Sequence, residues 1–416
     1  MTSPGAPGVP GWLDPQDERT ARAAWSRLAE PGDRAAGRVL ERLGAGPALV
    51  ALVESPRLVT AAAAAARAAA APGEDRSQDG PSASGWRARL AQLDPVRDLA
   101  TLRRFGGRLL IPGDPEWPGV LARLGERAPF ALWVRGPLEL ARACERSVAL
   151  VGCRACTRYG EHVATELGAG CAQRGVTVVS GAAYGIDACA HRGALSVEGP
   201  TVAVLACGVD RSYPQGNAAL IERIVAQGAV VSEVPPGSAP TRWRFVQRNR
   251  VIAALSPVTV VVEAAWRSGS SITAREAVEL GHDLAAVPGP VTSAASAGCH
   301  RLLRDGATCV TDAAEIAELL APIGQQLALL PQVPGAEHDG LGPVDLRVLD
   351  ALPLRAPVPV ASVCGAAGLD RPTVTAALGR LELLGLAASA GAGWCRARPP
   401  AGRPGRSPRP AVRPVR

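Results

Sequence analysis

Five stretches of the chain are apolar at almost every position: Val148 to Val151, Val176 to Val179, Val202 to Leu205, Ala229 to Val231 and Val258 to Val262, each bounded by Gly, Ser or an acid. A strand with one face in water alternates apolar and polar residues, whereas a strand buried on both faces does not, and the latter belongs to a parallel sheet covered by helices. The intervening segments 160–174, 185–195, 217–226 and 271–280 have helical length and spacing. This βα repetition predicts an α/β fold, an extended Rossmann-like core with a mostly parallel sheet. In such a sheet ligands bind at the carboxyl ends of the strands, so the loops leaving those ends are the places to look for function.

The flanking segments differ in character. Residues 18–70 read as a helical accessory domain, followed by a Pro-, Gly-, Ser- and Asp-rich linker over 71–84. The core domain is expected over 86–320, its lead-in carrying a helix, a short strand from Arg108 to Ile111, a Pro112-Gly113-Asp114-Pro115 turn and a strand ending at Val134. After a Pro- and Gly-containing connector, 343–396 reads as three short helices and a hairpin around Gly391-Ala392-Gly393, the winged-helix plan. Arg371 to Leu384 takes the recognition-helix position, but Arg371 and Arg380 are set against Asp370 and Glu382, so partner docking and duplex reading stand level. The Arg- and Pro-rich tail 397–416 is expected to be disordered.

Charge must be placed before it is interpreted. All 45 basic side chains are arginine, set against 38 acids, and from Arg396 onward there are seven arginines and no acid, so the rest of the chain is neutral. Net charge therefore cannot identify a nucleic-acid binder, and local clusters must. Uniform arginine with high Ala and Gly fits a GC-rich genome, such as that of an actinobacterium. No apolar stretch is long enough to span a membrane and no secretory leader is visible, which makes a cytoplasmic location the expectation. The ten cysteines are scattered, and the pair Cys153 and Cys156 has no second pair to complete a zinc site, so neither disulfides nor a metal are expected.

Four loops carry chemistry. The first strand runs into a turn from Gly152 to Gly160, where helix-start amides, Arg154 and Thr157 could hold a phosphate, or where the turn is simply structural. It lacks the GxGxxG spacing of a nicotinamide site, and no cofactor is expected. The second strand ends in Ser180-Gly181-Ala182-Ala183-Tyr184-Gly185-Ile186-Asp187, followed by His191 and Arg192. Asp187 with His191 would make an acid–base pair, or Asp187 would organise the loop while Arg192 reaches a phosphate.

In the third loop Arg242, Arg244, Arg248 and Arg250 fall within nine residues, no acid occurs from Val234 to Val262, and Trp243 or Phe245 is available to stack on bases. The helix here is expected to begin near Gln247. The last strand leads into Arg267-Ser268-Gly269-Ser270-Ser271-Ile272-Thr273, whose hydroxyls suit a second phosphate or mere helix capping.

Together these loops resemble the DNA-processing protein A family (DprA/Smf), over about 105–320, with Gly208-Val209-Asp210-Arg211, Val287-Pro288-Gly289 and Gly306-Ala307 continuing the likeness. The resemblance implies single-stranded DNA binding without turnover by a homodimer. It further implies loading of RecA in natural transformation or recombination, and contact with single-strand binding protein. It makes 18–70 SAM-like and 344–396 a winged helix. Its DNA pocket falls on Gly152, Arg154, Thr157, Tyr159, Ser180, Gly181, Gly185, Asp187, Arg248, Asn249, Arg250, Ser268, Gly269 and Thr273. Cys153 stands where the family usually has Ser, and His300 where it usually has Asn. Two other readings are a Rossmann-like nucleotide hydrolase using Asp187 or Glu263 as base, and a winged-helix regulator of duplex DNA.

Overall fold

The computed structural model of the chain describes residues 11–55, 57, 59, 83–321, 341–354, 356–391 and 393–397. The expected linker lies outside them except for Ala83 and Ser84, which already belong to a helix. The tail beyond 397 and most of the connector also lie outside. Two compact units result, one up to residue 328 and one from 329 onward. Among the described residues no helix is long and apolar enough to cross a membrane.

The first unit opens with helices α1 (Glu18–Leu28), α2 (Arg34–Leu43), α3 (Ala45–Glu54), α4 (Ala83–Leu90) and α5 (Pro95–Arg104). Asp17, Asp33 and Asp94 each accept a backbone N–H in the first turn of α1, α2 and α5, which fixes those starts. Trp25 and Trp86 meet edge to face at 5.5 Å in the core of this helical segment. The segment is not detached: Ala23 of α1 packs in one cluster with Trp133, Leu205 and Val230 of the sheet, and Arg27 forms a bidentate pair with Asp98.

The sheet follows. Strands β1 (Gly107–Leu110) and β2 (Leu132–Arg135) precede α6 (Leu140–Glu145), and the βα core is β3 (Ser147–Gly152), α7 (Arg158–Gln173), β4 (Thr177–Ser180), α8 (Ile186–Ser196), β5 (Thr201–Leu205), α9 (Ala218–Gln227), β6 (Ala229–Ser232), α10 (Arg242–Ala254), β7 (Val258–Glu263) and α11 (Ser270–Glu279). Then come β8 (Asp283–Ala286), α12 (Ala297–Arg304), β9 (Thr308–Cys309) and α13 (Ala313–Leu319). The order across the sheet is β1-β2-β6-β5-β4-β3-β7-β8-β9, parallel from β6 to β9, with β1 and β2 antiparallel at one edge. Ala149 and Val151 join one core cluster while Val148 and Leu150 join the other, so β3 is buried on both faces as its composition predicts.

Two features differ from the sequence reading. Strands β8 and β9 are too short, too Ala-rich and too exposed to register as apolar runs. Helix α10 starts five residues before Gln247, because Thr241 Oγ1 accepts from Arg244 N and caps it there. All four arginines of the cluster therefore lie on one helix.

The second unit contains α14 (Pro343–Ala351), α15 (Val360–Ala367), α16 (Arg371–Leu383) and the antiparallel pair β10 (Ala387–Ala390) and β11 (Gly393–Arg396), to which Val358 adds a bridge at Trp394. Val348, Leu349, Val363, Val374, Leu378 and Leu381 form its core. Arg380 on α16 is paired with Asp345 at 2.6 Å.

Candidate nucleic-acid interface

Strands β4 to β6 are laid down to one side of β3, and β7 to β9 to the other, so β3 and β7 flank the point where the winding reverses. Their carboxyl ends deliver the Gly152 turn and the Arg267–Thr273 loop to the same place.

The turn is ordered by the protein's own carboxylate. Glu263, the last residue of β7 and 2% exposed, accepts from Thr157 N at 2.8 Å and Thr157 Oγ1 at 2.7 Å, and Cys153 Sγ donates to it at 3.3 Å. Gly160 is required one turn into α7, since a Cβ there would overlap the same carboxylate. The anion expected at Thr157 is thus present, but it is Glu263, and the amide and hydroxyl of Thr157 are spent on it. A Glu263 locked by three donors is poorly suited to act as a general base. Cys153, standing in place of Ser, serves this lock.

An open cleft of about 450 Å³ lies beside the turn, lined by Gly152, Arg154, Asp187, Asn249, Ser268, Gly269 and Thr273, with Phe245, Arg248 and Arg267. Arg248, 5% exposed, donates from Nη1 to Val204 O at 2.7 Å, and its buried Nε has no partner. Its guanidinium fills the space over Gly181, where a Cβ would collide with it. Asp187 accepts from Gly181 N at 3.2 Å. Burial raises the Asp187 carboxyl above its ordinary range, with Arg248 opposing most strongly, while burial pulls Arg248 down with Asp187 opposing. Arg154 stacks on Phe245 at 4.8 Å from the ring centroid. Opposite, α11 begins behind Gly269, which has no side chain to cap it, and Ser268 Oγ sits 2.8 Å from Ser270 Oγ. Gly185 starts α8 with a positive φ of 77°.

Other residues picked from the sequence are placed elsewhere. Arg250, 1% exposed, spends its nitrogens on both oxygens of Glu233 at 2.6 Å, on Arg127 O and on Gln247 O. Arg244 is held by Glu30 at 2.9 Å and by Ala239 O. Burial alone would raise the Glu30 carboxyl, yet Arg244 and then Arg89 hold it below its ordinary range. Ser180 Oγ donates to Leu150 O inside the sheet, and Tyr159 Oη donates to Pro288 O. Arg242 and Arg192 are exposed and do not line the cleft. His191 is buried, its Nδ1 2.7 Å from Thr201 Oγ1, so it is not the partner of Asp187.

The reading from sequence did not select Arg267, Tyr184 or Tyr213. Tyr213 lies 5.7 Å from Phe245, and with Tyr184, Arg154 and Phe245 it walls a small hollow of about 70 Å³ next to the cleft. Arg267 was visible as the basic residue leading into the serine loop. Nothing local marked the tyrosines.

Comparison with known proteins assigns this arrangement. The sequence model of the DNA recombination-mediator protein A family matches residues 108–321. The chain belongs to this family. Within it, a DNA processing protein DprA of Mycobacterium tuberculosis (strain H37Rv) is 48% identical over 307 residues, covering 71% of this chain and 79% of the relative. Protein Smf of Escherichia coli K12 is 40% identical over 300 residues, covering 70% and 77%. Among solved structures, DNA processing protein A from Streptococcus pneumoniae is similar with a TM-score of 0.57 at 28% identity, covering 72% of this chain and 96% of that one. The matched segment contains the whole βα core and both loops of the cleft.

Proposed function

We propose that this family member binds single-stranded DNA, without sequence preference and without cleaving it, along the cleft at the carboxyl ends of β3 and β7. The observation that carries the reading is the convergence of Arg154, Arg248 and Arg267 with the Ser268–Gly269 start of α11 around the half-buried ring of Phe245, which lines the cleft. Cations beside an aromatic surface suit a flexible strand whose bases are unpaired; duplex DNA hides those base faces. A hydrolase is less well served, since Glu263 is locked and the cleft is open rather than closed over a small ligand.

The proposal extends to the family's biology: two copies acting as a homodimer, loading of RecA onto the bound strand in transformation or recombination, and contact with single-strand binding protein. We read the helices α1 to α3 as the SAM-like accessory module and the second unit as a winged helix. In that unit Arg380 is paired with Asp345, which favours a protein partner over duplex DNA.

The test compares oligo-dT with duplex of equal length at low salt, using the full chain and the variant Arg154→Ala/Arg267→Ala. Preference for the single strand that is lost in the variant supports the reading. Equal binding to both substrates, or an unaffected variant, sinks it.

A further inference from the structure

Trp266 sits on the β7–α11 loop one residue before Arg267 and is 53% exposed, which is unusual for the largest apolar side chain in a folded unit. It does not line the cleft; its neighbours Ala265 and Arg267 do. One face of the indole is covered by the guanidinium of Arg301 from α12, 5.1 Å from the ring centroid. A ring backed by a cation on one side and half exposed has its other side available to a planar partner. The loop from 265 to 267 is exposed throughout, so both Arg267 and the indole are open to solvent. Consecutive Cα atoms are about 3.8 Å apart, so the indole is carried by the backbone position next to the cleft-lining Arg267.

We infer that Trp266, backed by Arg301, is a second stacking platform, which takes a base of the single strand as it leaves the cleft past Arg267. This rests on the single-stranded DNA reading above. A nucleobase is favoured over an apolar protein surface because the indole is flanked by cations, Arg267 in sequence and Arg301 in space, which suit the phosphates on either side of the stacked base. Phe245 lines the cleft, and Trp266 adjoins it in sequence through Arg267. The strand would be gripped by its backbone between two aromatic contacts.

The experiment measures binding of full-length protein, Trp266→Ala and Trp266→Phe to a dT 15-mer and to the same backbone carrying abasic sites throughout. For dT, Trp266→Ala should weaken binding about five- to hundredfold, as expected for one lost base stack, while Trp266→Phe retains most of the affinity. For the abasic backbone the variants should match the unmodified protein, and the salt dependence should be unchanged. Wild-type-like binding of dT by Trp266→Ala, or an equal loss on the abasic backbone, overturns the platform and leaves the cleft reading intact. Failure of the unmodified protein to bind dT at all overturns the cleft reading, and the platform with it.

Discussion

The carboxylate of Glu263 and the first turn of α7 are joined at Thr157 by two hydrogen bonds, to the amide at 2.8 Å and to the hydroxyl at 2.7 Å. The two residues end or follow adjacent strands, so this contact ties the loops on both sides of the switch point to each other. Its consequence is that Arg154 sits on a turn ordered before any ligand arrives, which lowers the entropy cost of binding. Replacing Glu263 with Ala removes the acceptor of three part-buried donors and should destabilise the fold by about 1–3 kcal/mol. Oligo-dT affinity should also fall in Glu263→Ala under conditions where circular dichroism shows the protein still folded. Unchanged affinity there would mean the turn orders itself.

Gly181 and Arg248 couple stability to binding. A methyl group at Gly181 would overlap the Arg248 guanidinium, which is buried and bonded to Val204 O. Gly181→Ala should therefore displace the guanidinium from the cleft and also cost about 1.5–3 kcal/mol of stability, because a buried charge loses its bond to Val204 O. Loss of one charge-assisted contact corresponds to about a tenfold fall in oligo-dT affinity. A melting curve and a titration on the same sample check both halves.

The arginines should split into two classes, those that hold the fold and those that face the cleft. Arg250→Ala breaks the buried pair with Glu233 and should destabilise the fold by about 3–5 kcal/mol, because the carboxylate is left uncompensated. Its loss of DNA binding would follow its loss of folding. Arg154→Ala, outside α10, should instead leave the melting temperature close to that of the unmodified chain. The slope of log affinity against log salt should fall by about 0.7, the share of one phosphate contact on a single strand.

This division also explains how much the sequence could reveal. The parallel sheet was legible because β3 to β7 are apolar and buried at almost every residue, and the loops that line the cleft were legible from their Gly and Ser. The partners of the arginines were not. Glu30 and Arg244 are separated by 214 positions, and Glu263 and Thr157 by 106, so no local pattern could show that these charges are already matched. An acid-free stretch reads as unbalanced cation until tertiary structure brings the acids to it. Tyr184, Tyr213 and Trp266 were hidden for the same reason, since only the fold shows which aromatic residues stay exposed beside the cleft.

His191 supplies a pH-dependent signature separate from DNA. Its ring is fully buried, Nδ1 faces Thr201 Oγ1 and Nε2 has no partner, while Thr201 Oγ1 itself donates to Val178 O. Thr201 therefore accepts from Nδ1–H, and the imidazole is neutral with a bare lone pair on Nε2. Burial, reinforced by the Arg248 charge, pushes its pKa down from 6.5 to about 3. The unfolded chain thus takes up a proton below pH 6.5 that the folded chain refuses, so stability from this group is complete above 6.5 and declines as the pH falls toward 3. Between pH 7 and pH 5 the loss amounts to about 2 kcal/mol. His191→Asn can keep a donor toward Thr201 but has no proton to gain. Urea unfolding of the variant should show a correspondingly weaker fall in stability from pH 7 to pH 5 than the unmodified protein. If both lose stability equally over that interval, the acid sensitivity lies elsewhere in the fold.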